Sequence, residues 1–188
     1  QIAMHANEDF IYSPQKPDDT YRIVVAGDSF SFGPHMQFDD TFSKRLERFL
    51  NLNTKQTKVE VLNRARSGFN TSKELDTVTR AVEKEADLVL LQITLNDAEP
   101  KLLTKSEHDQ FLNGSDTAFS KTLRKYWKAY DFVMTRIHNK LAHANFIDYH
   151  RKYWFQDDTY NAFKVALRRC KGVTEGKAKF AAVVFPLF

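Results

Sequence analysis

Only one cysteine, Cys170, occurs in the 188 residues, so no disulfide can form within the chain. That leaves the compartment open, because secreted proteins need not carry disulfides; a periplasmic or secreted location is slightly favoured over a cytoplasmic one. No apolar run approaches the ~18 residues of a helical membrane span. No compact block of Lys or Arg occurs either. The 28 basic and 24 acidic residues are scattered and leave a net charge of +4, which reads as solvated faces, and no nucleic-acid partner is expected. The six histidines (His5, His35, His108, His138, His143 and His150) lack the spacing of a metal-ligand set, so neither a metal nor another cofactor is expected. There is no internal repeat and no low-complexity segment. The chain starts at Gln1 without a signal-like segment and ends at Phe188 straight after an apolar run, so both ends are expected to be cut.

What is present is enough for one domain with a real core: 42% hydrophobic and 28% charged residues. Residues 1–20 are polar with Pro14 and Pro17 and read as an irregular arm; residues 21–188 read as a single α/β domain, incomplete at its C-terminus. Tyr21 to Ala26 is a non-alternating apolar run, the pattern of a strand covered on both faces. Asp39 or Asp40 can cap a helix from about Thr41 to Leu50 with Phe42, Leu46, Phe49 and Leu50 as its apolar stripe. Val59 to Leu62 is a short second strand. Thr71-Ser72-Lys73-Glu74 fits a capping box opening a helix that buries Leu75, Val78 and Val82. Asp87 to Thr94 is the third strand. Strand, helix, strand, helix, strand is the signature of a parallel sheet with covering helices.

Residues 98–155 depart from that rhythm. Asn113-Gly114-Ser115 is a turn, and Lys121 to Ala144 reads as one long helix with Trp127, Tyr130, Met134, Ile137 and Leu141 as a core or lid stripe. Asp157-Asp158-Thr159 can cap a further helix carrying Tyr160, Phe163, Leu167 and Cys170, with Cys170 a small buried hydrophobe. Gly172 and Gly176 lead into a fourth strand, Phe180 to Phe185.

Three strand ends carry polar residues that parallel strands would bring to one edge, where open sheets bind ligands. Ser29 follows strand one; Asn63, Ser67 and Gly68 follow strand two; Asn96 and Asp97 follow strand three. A serine attacking an acyl carbon needs a base and donors for the developing oxyanion. The backbone N–H groups of Ser29 and Gly68 and the Asn96 amide could be those donors. Asp28 reads as an Asx-type turn residue and Asp97 as a loop anchor rather than as reacting groups. Gly27-Asp28-Ser29-Phe30-Ser31 lacks the second glycine of the Gly-x-Ser-x-Gly elbow, and Gly27 to Gly33 lacks the lysine of a phosphate-binding loop.

Gly27-Asp28-Ser29 with Gly33, Asn63 to Thr71, and Thr94-Leu95-Asn96-Asp97 resemble, in order, the first three blocks of the SGNH (GDSL-type) serine hydrolases. The resemblance covers residues 21–100 closely. It implies a three-layer α/β/α sandwich with a flavodoxin-like parallel sheet, here with a helical insertion after strand three. It also implies Ser29 as nucleophile of an acyl-enzyme and Gly68 and Asn96 as oxyanion donors, with Asp28, Asn63 and Asp97 in support. Thr94 stands where the third block usually has glycine. The family's base is a histidine three residues after an aspartate, and none of the six histidines has an acid at that spacing, so that block is expected beyond Phe188. Asp148-Tyr149-His150 has the wrong spacing, and His150 reads as a surface or lid histidine. The implied substrate is a small-molecule, lipid-type or glycan O-acetyl ester. The same residues also suit an O-acyltransferase or a non-catalytic binding module.

Overall fold

Residues 20–26 are β-branched or apolar at nearly every position, and they form the strand at the heart of the sheet. The computed structural model describes residues 11–54, 56–100 and 118–185. Four parallel strands lie in the order β2-β1-β3-β4: β1 is Thr20–Ala26, β2 Lys58–Asn63, β3 Leu88–Ile93 and β4 Lys179–Val184. The register pairs Ile23 with Val61, Val24 with Val89 and Leu91 with Ala182. Helices cover both faces, as right-handed crossovers between parallel strands require. The result is an α/β/α sandwich around a parallel sheet.

On one face Ile23, Val25, Val59 and Val61 pack under Phe42, Leu46 and Leu50 of helix α2 (Phe42–Asn53). On the other, Val24, Ala26, Val89, Leu91 and Ile93 pack under α3 (Thr71–Glu83) and α6 (Asp157–Thr174), through Val78, Ala81, Phe163 and Cys170. Val25 and Ala26 are wholly buried, which is why β1 shows no alternation. Truncating Leu91, also wholly buried, would remove about 2–5 kcal/mol.

The outer edge of β2 is closed by side chains of α2. Asn51 mimics a peptide group: its Nδ2 donates to Val59 O at 2.8 Å and its Oδ1 accepts from Val59 N at 2.9 Å. Glu47 accepts from Val61 N and Lys44 donates to Val61 O. These bonds remove the exposed donors and acceptors through which an edge strand recruits other chains. The arm is also anchored. The fully buried Arg22 guanidinium pairs with Glu60 at 3.0 Å and donates to the carbonyls of Ser13, Pro14 and Gln15.

Several sequence expectations need correction. A short helix, α1 (Ser29–Phe32), replaces the expected loop after β1. Asp39 and Asp40 lie in a 3-10 turn, and α2 starts after Thr41; Phe49 is exposed rather than on its stripe. The N-cap of α3 is Asn70, which accepts from Lys73 N, because the Thr71 hydroxyl is bonded to Asp97 instead. Glu74 is therefore not part of a capping box. The expected long helix is two: α4 (Ala118–Tyr126) and α5 (Lys128–Trp154), broken where Trp127 is extended. Trp127 and Ile137 are exposed, so they are not core, whereas Tyr130 and Met134 are half-buried. The turn expected at Asn113-Gly114-Ser115 lies outside the described residues.

Candidate active site

The C-terminal ends of β1, β2 and β3 meet through a network of hydrogen bonds. Asp28, wholly buried, ends the β1 loop and caps α1. Its Oδ1 accepts from Phe30 N at 2.9 Å, and its Oδ2 accepts from the Thr94 hydroxyl at 2.6 Å. Thr94 Oγ1 also lies 2.5 Å from Asn96 Oδ1. Asn96 Nδ2 donates to Phe69 O at 3.2 Å, in the loop after β2. That loop is tied back to β1, since Arg64 N donates to Val25 O and Arg66 N to Gly27 O, each at 2.9 Å. Asn63 Nδ2 donates to Ser31 O at 2.7 Å, and its Oδ1 accepts from Ala65 N. The network thus links the loops of Ser29, Gly68 and Asn96.

Ser29 is the first residue of α1 and half-buried. Among the described residues its hydroxyl and its backbone N–H have no hydrogen-bond partner, the N–H being one of those a helix start leaves free. Gly68 has φ +78°, a conformation that favours glycine, and its N–H is likewise without a partner among the described residues. Asn96 Nδ2 carries a second hydrogen beyond the one given to Phe69 O. Ser67 is exposed at the rim.

Beneath these groups lies a buried acidic layer. Asp97 Oδ2 accepts from Thr94 N at 2.6 Å and Oδ1 from the Thr71 hydroxyl at 2.7 Å. Burial outweighs those bonds and raises its pKa to about 6. Glu74 is wholly buried, and neither carboxyl oxygen has a partner among the described residues. Burial first, then the charges of Asp97 and Asp28, push its pKa well above the carboxylate range. The buried Cys170 thiol is pushed up to about 12 by burial, then by Glu74 and Asp97. An inert thiol suits packing rather than nucleophilic chemistry.

Gln92 was not singled out by the sequence reading, which took it as part of an apolar strand. Its side-chain carbonyl accepts from Asp28 N at 3.1 Å and Ser31 N at 3.3 Å. A Cβ at Gly27 would stand 2.5 Å from that same oxygen, so glycine is needed there for the close approach. The one polar residue in the run Leu88–Ile93 was the available signal. Thr94 is the second omission, recognised only as a departure from glycine.

His150 is buried, not a surface histidine. Its Nδ1 lies 3.5 Å from Glu99 Oε2, and its ring meets Phe146 and Tyr149 edge-on. Burial, then Lys152, lowers its pKa to about 4. Tyr149 donates to Glu99 Oε1 at 3.0 Å, and Trp154 Nε1 donates to Leu95 O at 2.6 Å. The end of α5 therefore clamps the loop Leu95–Glu99 that carries Asn96. Among the described residues no group of His, Cys, Asp and Glu could hold a metal ion.

No protein-family model matches the chain. No curated protein matches it either. Solved structures do. The esterase AlinE4, of the SGNH-hydrolase family, is 16% identical with a TM-score of 0.38, over 60% of this chain and 57% of that one. TesA is 15% identical with a TM-score of 0.38, over 82% of this chain and 98% of that one. The psychrotrophic esterase EstA from Pseudoalteromonas sp. is 16% identical with a TM-score of 0.39, over 88% of this chain and 78% of that one. The chain thus spans little more than half the length of AlinE4.

Proposed function

We propose that the chain carries the nucleophile and oxyanion donors of an SGNH-type serine esterase. In this reading Ser29 Oγ attacks the carbonyl carbon of an ester while a base takes its proton; the tetrahedral intermediate expels the alcohol, which takes that proton back, and the acyl-enzyme left behind is hydrolysed by water. The tetrahedral oxyanion is held by the N–H groups of Ser29 and Gly68 and by the free Nδ2 hydrogen of Asn96. Asp28 holds the Thr94 hydroxyl and Phe69 O holds the Asn96 amide; Asn63 holds the α1 turn through Ser31 O; Asp97 holds the Thr94 backbone. The reading is carried by one observation: the N–H groups of Ser29 and Gly68, without partners among the described residues, and the second Nδ2 hydrogen of Asn96 lie on loops tied together by Asp28, Thr94 and Phe69.

The substrates this reading favours are small-molecule, lipid-type or glycan O-acetyl esters. An O-acyltransferase would use the same residues with a sugar hydroxyl in place of water. A binding module would keep the fold without turnover. Comparing Ser29→Ala and Asn96→Ala with the parent protein on p-nitrophenyl esters and acetyl-xylan, with imidazole supplied as external base, separates these. The esterase reading expects Asn96→Ala to lower kcat about 10²–10³-fold, as loss of one oxyanion donor does. Unchanged turnover in either variant refutes it.

A further inference from the structure

The helical arm formed by α4 and the first half of α5 has no part in the chemistry above. Tyr149, His150 and Trp154, which tie α5 to the sheet domain, come from its last two turns. Before them the helix offers an unusual surface. Lys128, Phe132, Arg136 and Lys140 recur every four residues and so share one side of the helix, flanked by Val133 and Ile137. Phe132, Val133 and Ile137 are 59%, 52% and 45% exposed, and at the start of the helix Tyr126 and Trp127 are 76% and 60% exposed. Arg136 sits 4.5 Å over the Phe132 ring and Lys125 5.5 Å over the Tyr126 ring, so cations and apolar groups lie in one layer.

The charge on this surface is predominantly positive, Asp131 bordering it three residues after Lys128. Between residues 122 and 147 the only carboxylate is Asp131, which is half-buried. Asp131 and Lys140 are nine residues apart and therefore on opposite sides of the helix. Over residues 122–141 there are five Lys and Arg against one Asp, a net +4 that equals the charge of the whole chain.

We propose that this arm docks on a bilayer surface rich in anionic phospholipid. The exposed Phe132, Val133, Ile137 and Trp127 would enter the headgroup boundary, while the Lys and Arg stems extend along them and place their charges at the phosphates. The aliphatic residues favour lipid over nucleic acid, since Val133 and Ile137 offer nothing to a phosphate backbone or a base edge. No described helix is long and apolar enough to cross a membrane, so the arm lies on the surface. Docking is independent of the Ser29 chemistry.

The test is co-sedimentation of the protein with vesicles of phosphatidylcholine alone and with added phosphatidylglycerol, at low and high salt. Binding is expected only to the anionic vesicles, and to weaken at high salt as charges are screened. Arg136→Glu with Lys140→Glu should weaken it at least about 25-fold, at about fivefold for each basic residue lost. Phe132→Ser with Ile137→Ser should weaken it at low salt as well. Circular dichroism confirms that each variant is folded; these positions are solvent-facing, so no loss of fold is expected. Equal binding to neutral vesicles, no binding to either, or binding to DNA without binding to vesicles overturns the proposal. So does self-association that the same substitutions abolish while vesicle binding persists.

Discussion

Replacing Thr94 by valine tests the hydrogen-bond network directly. The two side chains have nearly the same shape, so no cavity opens, and the change removes only the hydroxyl. That hydroxyl is the donor to Asp28 Oδ2 at 2.6 Å, and Asp28 is wholly buried. A hydrogen bond to a charged group contributes about 1.5–3 kcal/mol. For a chain of this size a loss of about 2 kcal/mol lowers Tm by about 4–8 °C. Thr94→Ser keeps the donor and loses one buried methyl, at most about 1 kcal/mol. Urea and thermal unfolding of both variants should therefore rank parent, serine, valine in falling stability. A valine variant as stable as the parent, or a serine variant as unstable as the valine one, refutes the reasoning.

Two further predictions concern pH. His150 has a folded pKa of about 4, below its ordinary 6.5, so its stabilisation is complete above pH 6.5 and is lost as pH falls through 4. Asp97, raised from 3.8 to about 6, and Glu74, raised further, act oppositely: their contribution is complete below the ordinary carboxylate range and is lost as pH rises through the folded values. His150→Gln should therefore leave a protein that gains stability, relative to the parent, by about 2 kcal/mol between pH 8 and pH 5 in urea titrations. Parallel pH profiles would show that His150 titrates normally. Glu74→Gln removes a buried carboxyl that resists ionisation, so Tm should rise at pH 8 and stay level at pH 5; a lower Tm at pH 8 contradicts the burial argument.

Much of the fold was legible because β1 and β3 are continuous apolar runs, the pattern strands covered on both faces must have. The three polar strand ends were legible for the same reason: Gly27-Asp28-Ser29, Asn63 and Asn96-Asp97 interrupt apolar stretches abruptly. What sequence could not show was partner choice. Thr71 was read as a cap, but its hydroxyl bonds to Asp97, 26 residues away in sequence, which moves the cap to Asn70. Gln92 and Thr94 act through long-range contacts that no local pattern announces. The long helix failed on burial: Trp127 and Ile137 have helical spacing, yet the arm leaves them exposed, because periodicity reveals a face and not what covers it. His150 failed in reverse, being buried against Phe146 and Tyr149.

The central claim is that Ser29 is the nucleophile, and acylation of that residue tests it most directly. The protein is incubated with p-nitrophenyl acetate, with imidazole added as an external base, and digested for peptide mass spectrometry. The account predicts a single acetyl group on the peptide holding Ser29, absent in Ser29→Ala and formed far more slowly in Asn96→Ala. Acetylation at another serine such as Ser31 or Ser67, or none at Ser29 in the folded protein, would contradict it.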